Sequence, residues 1–343
     1  MDGLPPDAQF SAPARDLPKL LAPYRVADHR RSIFELAITG VPYLALWLAA
    51  WIALSISIWL TLALAVPAGA FLTRLFIIQH DCGHGAFFRR RKINDWVGRV
   101  LGVLTQTPYY VWRRSHAVHH ATSGNLAKRG VGDINILTVR EYLALPRYRQ
   151  FHYRVYRHPI TIFALAPAYI FLLRNRVPPG ISHASWRFWV SAMGTNAALA
   201  VVAGTVMYAI GVREFLLVQV PITLVAGSIG VWLFYVQHQF EATFWVEGHA
   251  WRSQDAALRG SSHYDLPPVL RWMTANIGVH HVHHLSSRIP FYRLGEVLRD
   301  VPELTQGKHI TLGQSFACVK YRLWDEGRQK LVSFAEARAQ PAQ

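Results

Sequence analysis

The stretch Gly278-Val279-His280-His281-Val282-His283-His284 places four histidines within five positions. Two earlier stretches have the same character: His80-Asp81-Cys82-Gly83-His84 and His116-Ala117-Val118-His119-His120. On a helix, side chains three and four positions apart share one face, so the spaced imidazoles of each stretch are expected to bind a metal ion together. Eight imidazoles are too many for one tetrahedral zinc ion, and we therefore expect two metal ions. The eight are His80, His84, His116, His119, His120, His280, His283 and His284.

The composition separates this chain from soluble proteins and from nucleic-acid-binding proteins. Of 343 residues, 52% are hydrophobic, and they are concentrated in blocks. The formal net charge of +16 comes from basic residues that flank these blocks, which is typical of membrane topology, and no nucleic-acid partner is expected. The two cysteines are Cys82, inside a histidine stretch, and Cys318, so we expect no disulfide.

The apolar blocks predict four membrane crossings. The run from Ile33 to Ile78 has about twice the ~20 residues that one crossing needs, and predicts helices over 34–53 and 55–78. A second hairpin is predicted over Phe188–Val212 and Phe215–Val236. The expected fold is therefore an all-α integral membrane protein, with four transmembrane helices in two hairpins and a cytosolic helical cap that holds a di-metal site.

The basic residues predict the orientation of this fold. Lys and Arg are frequent at both ends of the chain and beside the histidine stretches but scarce at the hairpin turns. By the positive-inside rule, we expect both termini and the metal site to lie in the cytosol. We expect a bacterial inner (plasma) membrane and no signal peptide. The expected division is a cytosolic segment 1–32, a membrane domain with its cap over 33–300, and a cytosolic tail 301–343. Helices are predicted over 294–343, and interfacial or re-entrant segments over 94–112 and 160–173.

The three stretches, His80-x-x-x-His84, His116-x-x-His119-His120 and His280-x-x-His283-His284, resemble the three histidine boxes of the membrane fatty acid desaturases, over roughly residues 30–300. Their contexts, such as Trp112-Arg113-Arg114-Ser115-His116, are most similar to the acyl-lipid delta-12 (omega-6) branch. The resemblance implies a non-haem site of two iron ions, O2 as co-substrate, and an external electron donor such as ferredoxin or cytochrome b5. It implies an oxidoreductase that introduces a cis double bond into a long acyl chain, carried by a lipid or a thioester, and reduces O2 to water.

Residues outside the boxes are also candidates. His238 lies where the fourth crossing ends, where the family has an additional histidine ligand, so we expect it to bind metal. His281 is expected to point away from its box and to form a supporting hydrogen bond, and the role of His263 stays open. Three aspartates are candidates for orienting the imidazoles: Asp81, Asp133 and Asp265. Arg74, in an apolar run, is expected to reach the membrane interface or a substrate headgroup.

Alternative functions remain at this point. A di-iron hydroxylase or ketolase acting on alkanes, sterols or carotenoids uses the same boxes, although the delta-12-like contexts favour desaturation. A metal transporter is a remote alternative, because its ionisable residues belong at the bilayer midplane. A zinc protease requires His-Glu-x-x-His, which is absent. Front-end desaturases begin box three with glutamine and carry a fused haem domain, whereas this chain has His280 at that position. Electrons are therefore expected from a separate protein. An acidic ferredoxin would suit the basic cytosolic face.

Overall fold

The computed structural model describes residues 17–130, 132–180 and 184–339. The first half of the predicted segment 1–32 and the last four residues of the tail therefore lie outside the described residues. Helices dominate the described part. In chain order they are α1 (Leu17–Leu20), α2 (His29–Ala53), α3 (Ile58–His84), α4 (Arg91–Leu104), α5 (Tyr109–Thr122), α6 (Val139–Ala144), α7 (Arg147–Tyr156), α8 (Ala166–Ala168), α9 (Trp186–Ile210), α10 (Val212–His238), α11 (Ser253–Gly260), α12 (Pro268–Met273), α13 (His280–Leu285), α14 (Leu294–Asp300), α15 (Leu312–Ser315) and α16 (Phe334–Arg338).

Four of these helices are long and apolar enough to cross a membrane. Helices α2, α3, α9 and α10 have 25 to 27 residues and a mean hydropathy of 1.5 to 1.9 over their most apolar windows. At about 1.5 Å per residue each exceeds the ~30 Å hydrocarbon core of a bilayer. The two predicted hairpins are confirmed. The second predicted helix, 55–78, ended too early, because α3 continues through the whole first histidine box to His84.

Helix α3 is the most buried of the four and packs against α2, α4 and α10. It approaches α10 closely at Gly69, where an added Cβ would lie 2.6 Å from Cγ1 of Val225. One turn further on, the Thr73 hydroxyl donates a hydrogen bond to the carbonyl of Ala226 at 3.1 Å. This close packing holds α3, which ends in His80 and His84, against α10, which ends in His238.

Two further segments pack beside these helices. Helices α4 and α5 lie next to α3, and α4 exposes Trp96 and Val100. Residues 161–176, largely π-helical turns around α8, run along α10, where the ring of Phe163 lies 5.1 Å from that of Trp232. This segment is bent by 55° from α7. The interfacial or re-entrant position of 94–112 and 160–173 stays a prediction.

Short strands tie the tail to the cap. They are β1 (Leu137–Thr138), β2 (His263–Asp265), β3 (His309–Thr311), β4 (Leu323–Asp325) and β5 (Lys330–Val332). Strand β4 pairs in parallel with β1 and antiparallel with β5, and β3 pairs in parallel with β2. The prediction that 294–343 forms helices alone was wrong, because β3 and β4 are set by pairing with strands far earlier in the chain, which local sequence does not reveal.

Arg74 does not reach the membrane interface, and that prediction was wrong. Its side chain is buried, and Nη2 lies 2.5 Å from the Glu35 carboxylate of α2. Its Nε donates to the Thr39 hydroxyl at 3.0 Å, and its guanidinium lies 4.4 Å from the ring centre of Trp272. An unpaired charge is costly to bury, so a carboxylate on the neighbouring helix takes the place that water or a lipid headgroup was expected to fill.

Candidate metal centre

Five histidines from three helices form the first of two groups, which we call the five-histidine group. In this group one ring nitrogen of each residue lies within 4.8 Å of one nitrogen of every other. The last turns of α3 supply two side chains four positions apart, α5 supplies another such pair, and α13 supplies one. The members are His80, His84, His116, His120 and His283.

Four more histidines form the second group, the four-histidine group. His119 comes from α5, His238 from the end of α10, and His280 and His284 from α13, and their nitrogens also lie within 4.8 Å of one another. The two groups are neighbours, since the rings of His120 and His284 stack with centres 4.1 Å apart. The structure therefore brings together all nine histidines that the sequence predicted as metal ligands, including His238.

The boxes do not map one to one onto the groups. We expected the histidines of each box to bind together, and for boxes two and three this was wrong. Side chains four positions apart share a face, so His116 and His120 project into the five-histidine group, whereas His119 projects from a different side of α5 into the other group. Box three is divided in the same way, with His283 separated from His280 and His284. Helices α5 and α13 thus contribute to both groups.

The spacing of the nitrogens fits metal ions better than hydrogen bonds. Metal–nitrogen bonds are about 2.0–2.1 Å long, so two nitrogens at right angles around one ion lie about 3 Å apart. Several Nε2 atoms here have two such neighbours, although an imidazole nitrogen carries at most one hydrogen. The Nε2–Nε2 distances are 3.1 Å for His84–His116, His116–His120, His120–His283 and His280–His284, and 3.0 Å for His238–His280.

Burial keeps these imidazoles in the form that binds metal. It lowers the pKa of His116, His120, His283 and His284 well below the ordinary value, and neighbouring imidazoles lower it further. The rings are therefore neutral near pH 7, and each has a lone pair available for a cation.

Two aspartates and a carbonyl hold three of the rings from behind. The Asp81 carboxylate lies 3.2 Å from His80 Nδ1, and it also accepts a hydrogen bond from the backbone N–H of Phe291 at 2.7 Å. Asp133 lies 2.5 Å from His119 Nδ1, and the Gly260 carbonyl lies 3.2 Å from His238 Nδ1. Such contacts fix the tautomer that leaves Nε2 for a metal. In agreement, Nε2 of His119 is buried and has no hydrogen-bond partner among the described residues.

Three other polar candidates lie outside both groups. Asp265 pairs with Arg271 at 2.9 Å, so the prediction that it orients a box imidazole was wrong. His281 points away from its box, as predicted, and its Nε2 lies 2.8 Å from the Leu304 carbonyl. His263 packs its ring against His309, with centres 4.4 Å apart.

Two aromatic side chains pack against the groups, and neither contact was predicted from the sequence. The Trp112 ring stacks on His116 with centres 4.6 Å apart. The Phe234 ring lies 5.1 Å from both His119 and His238. Both residues lie four positions before a box histidine or His238 on the same helix, and that spacing is the signal that would have found them.

Comparison with known proteins agrees with this centre. Residues 57–315 match the family model described as fatty acid desaturase. A protein of Bacillus subtilis named fatty acid desaturase is 44% identical over 93% of this chain and 90% of its own length. The chain belongs to the fatty acid desaturase family.

More distant members of the family are also similar. An endoplasmic reticulum omega-3 fatty acid desaturase of Vigna radiata is 28% identical over 77% of this chain and 72% of its own length. An sn-1 oleoyl-lipid 12-desaturase of Anabaena variabilis is 25% identical over 77% and 73%. This desaturase is therefore an oxidoreductase of a family that acts on acyl lipids, with four apolar helices suited to a membrane and two histidine groups able to hold metal ions.

Proposed function

We propose that this desaturase introduces a cis double bond of the delta-12 or omega-6 type into a long acyl chain, with the nine histidines binding two iron ions. The observation that carries the proposal is the convergence of nine imidazoles in two adjacent groups. The delta-12 assignment rests on the box contexts and on similarity to a protein named for 12-desaturation of oleoyl lipids. A hydroxylase or ketolase outcome is the second candidate, because the same centre serves both.

Iron rather than zinc is supported by the number of imidazoles. One group offers five ring nitrogens, more than a four-coordinate zinc ion would bind. Imidazole ligands suit iron, and structural zinc sites are almost always four-coordinate.

Residues of this chain orient and cover the imidazoles that would bind the iron ions. When bound, two iron ions would supply the oxidising power by which O2 removes hydrogen from an unactivated methylene. Two hydrogens leave adjacent carbons, and with O2, two electrons and two protons they yield the alkene and two waters. Asp81 and Asp133 fix the orientation of His80 and His119, and Trp112 and Phe234 cover the rings and exclude water.

The basic charge of the chain also supports a location, an orientation and a type of electron donor. We infer that the nine ligands and both ends of the chain face the cytosol, across a bacterial inner membrane, with the division at residues 32 and 300 given above. Electrons come from a separate donor, and the formal charge of +16 suits an acidic protein such as ferredoxin. The same charge suits anionic membrane lipid.

Lipid analysis of a desaturase-deficient host tests this proposal. The host expresses the chain, its His283→Ala variant, and a His152→Ala variant that removes an exposed histidine outside both groups. We expect a new unsaturated acyl species with the parent chain and with His152→Ala, and none with His283→Ala. A double bond at another position overturns the delta-12 assignment alone. A hydroxylated product, or an unchanged acyl profile with the protein present, overturns desaturation.

A further inference from the structure

An apolar groove of about 330 Å³ lies between α2, α3 and α4, and we call it the α2–α4 groove. Leu36 and Gly40 line it from α2, and Trp96 and Val100 line it from α4. None of the described residues in its wall carries a charge. Gly40 keeps the groove open, because a Cβ added at this position would have no atom within 4 Å.

The groove lies at the depth of the bilayer. Helices α2 and α3, which form two of its walls, are both long and apolar enough to cross a membrane. On α2 the large apolar side chains of Ile33, Val41 and Leu44 are exposed, as expected where a spanning helix faces lipid. An open space beside packed side chains lacks van der Waals partners. In a bilayer, the acyl chain of a neighbouring lipid supplies them.

The groove is separate from the metal centre. Leu75 of α3 forms its inner wall and is only 1% exposed. It precedes His84 by nine positions on the same helix, which is two and a half turns, so the two side chains leave α3 in opposite directions. The groove and the five-histidine group therefore lie on opposite sides of α3. An acyl chain in the groove is not positioned for oxidation.

One end of the groove lies next to the cap. Helices α2 and α4 begin side by side just after box one. The His29 ring of α2 lies 5.7 Å from the ring of Phe88, whose backbone N–H donates to the Asn94 side chain of α4 at 2.9 Å. Both helices run away from this point. Leu36 and Trp96, which come early in the two helices, therefore mark the end of the groove that is nearest to the cap.

Positive charge is concentrated at this end. The Arg99 guanidinium lies 5.0 Å from the ring centre of Trp96, and Arg99 is exposed with no ion pair among the residues that the structure describes. Arg90 and Lys92, at the start of α4, are also exposed and have no acidic partner within the same ranges. Trp is typical of the membrane interface, and anionic lipid headgroups attract Lys and Arg beside it.

We propose that the α2–α4 groove binds one anionic phospholipid of the surrounding bilayer, with an acyl chain in the groove and the phosphate beside Arg99. This lipid is a structural ligand and differs from the substrate, since the groove does not open toward the histidines. It would hold α4 against α2 and α3, and α4 is followed in the chain by α5, which carries box two. The inference depends on the membrane location of these helices and not on the desaturation proposed above.

Lipid binding by the purified full chain tests the site without relying on activity. Native mass spectrometry in a mild maltoside detergent counts bound lipids during titration with phosphatidylglycerol or with phosphatidylcholine of the same acyl chains. Gly40→Leu fills the groove, and Gly40→Ala is the matched control that leaves most of it open. Both variants replace a glycine inside a helix by a better helix former, so both are expected to fold. Arg99→Gln changes an exposed side chain and tests the headgroup separately. Metal content and thermal unfolding, measured on each sample, report the fold.

We expect the parent chain and Gly40→Ala to retain about one phosphatidylglycerol each and to unfold at a higher temperature with it, and Gly40→Leu to do neither. The parent should prefer phosphatidylglycerol to phosphatidylcholine by at least about fivefold, the contribution of one arginine beside an anionic surface, and Arg99→Gln should reduce this preference by about that factor. Equal lipid retention by Gly40→Leu and Gly40→Ala overturns the groove as the site. Equal affinity of the parent for the two lipids, or an unchanged preference in Arg99→Gln, overturns the anionic headgroup. Loss of acyl product in folded, metal-loaded Gly40→Leu, in a host where the parent chain forms it, overturns the separation of this lipid from the substrate.

Discussion

The Nδ1 atom of His119 lies 2.5 Å from the carboxylate of Asp133, which leaves Nε2 of His119 for the four-histidine group. Asp133 belongs to the segment after box two, 14 positions from His119, so the ring is oriented by a part of the chain that carries no ligand. Partners of this kind fix the tautomer of a metal-binding histidine and increase its basicity.

Replacing this carboxylate is expected to weaken metal binding in one group only. In Asp133→Asn the amide is nearly the same size but no longer charged, and we expect metal affinity at the four-histidine group to fall by about 10- to 100-fold. Titration with a chelator, followed by metal analysis, measures the loss. Asp265→Asn is the matched control, because Asp265 pairs with Arg271 and should release metal like the parent chain. Equal chelator sensitivity of Asp133→Asn and the control would show that the contact is structural.

Adjacent histidines of box three are expected to behave differently. His280→Gln removes a member of the four-histidine group, so we expect bound metal to fall from about two ions per chain to about one. His281→Gln removes a buried hydrogen bond to the Leu304 carbonyl, and we expect a lower unfolding temperature but the full metal content. Metal analysis and thermal unfolding of the two variants provide the comparison. A fall in metal content in His281→Gln equal to that in His280→Gln would place His281 among the ligands.

The close approach of α3 and α10 is testable with one methyl group. The Cβ of Gly69→Ala would meet Cγ1 of Val225 at 2.6 Å, and we expect overpacking to destabilise the protein by about 1–3 kcal/mol. Gly204→Ala, in α9, has no atom within 4 Å of its new Cβ and is expected to be neutral or stabilising by up to about 1 kcal/mol. Denaturant midpoints in detergent measure both. Equal stability of the two variants would mean that α3 and α10 move apart to admit the methyl group without a loss in the free energy of unfolding.

The buried pair of Glu35 and Arg74 is expected to behave as a unit. Removing the carboxylate, as in Glu35→Gln, leaves the buried charge of Arg74 without an acidic partner, and we expect a loss of about 3–5 kcal/mol. The double variant Glu35→Gln/Arg74→Met should recover much of this loss. Arg31→Gln, which removes the half-exposed partner of Glu35, is expected to cost less than about 1 kcal/mol. Additive losses in the double variant would contradict the coupling.

The sequence predicted what depends on local pattern. Apolar length predicted both hairpins, and spacing along a helix predicted the eight box histidines that the structure brings together. His238 was predicted from its position at the end of the fourth crossing and from the resemblance to the desaturases. The sequence could not assign His119 and His283 to their groups, because the direction in which α5 and α13 face each other is a tertiary property. Arg74 and Asp265 were misjudged for the same reason: their partners, Glu35 and Arg271, have no sequence signature. Strand β4 likewise depends on β1, which lies almost 190 residues earlier.

Metal analysis of the full chain, purified without oxygen from iron-replete cells, tests the central claim most directly. Two adjacent histidine groups predict two iron ions per chain, and about one after His280→Gln. One ion per chain, or stoichiometric zinc with no iron, would contradict the assignment of these nine histidines to a di-iron desaturase centre.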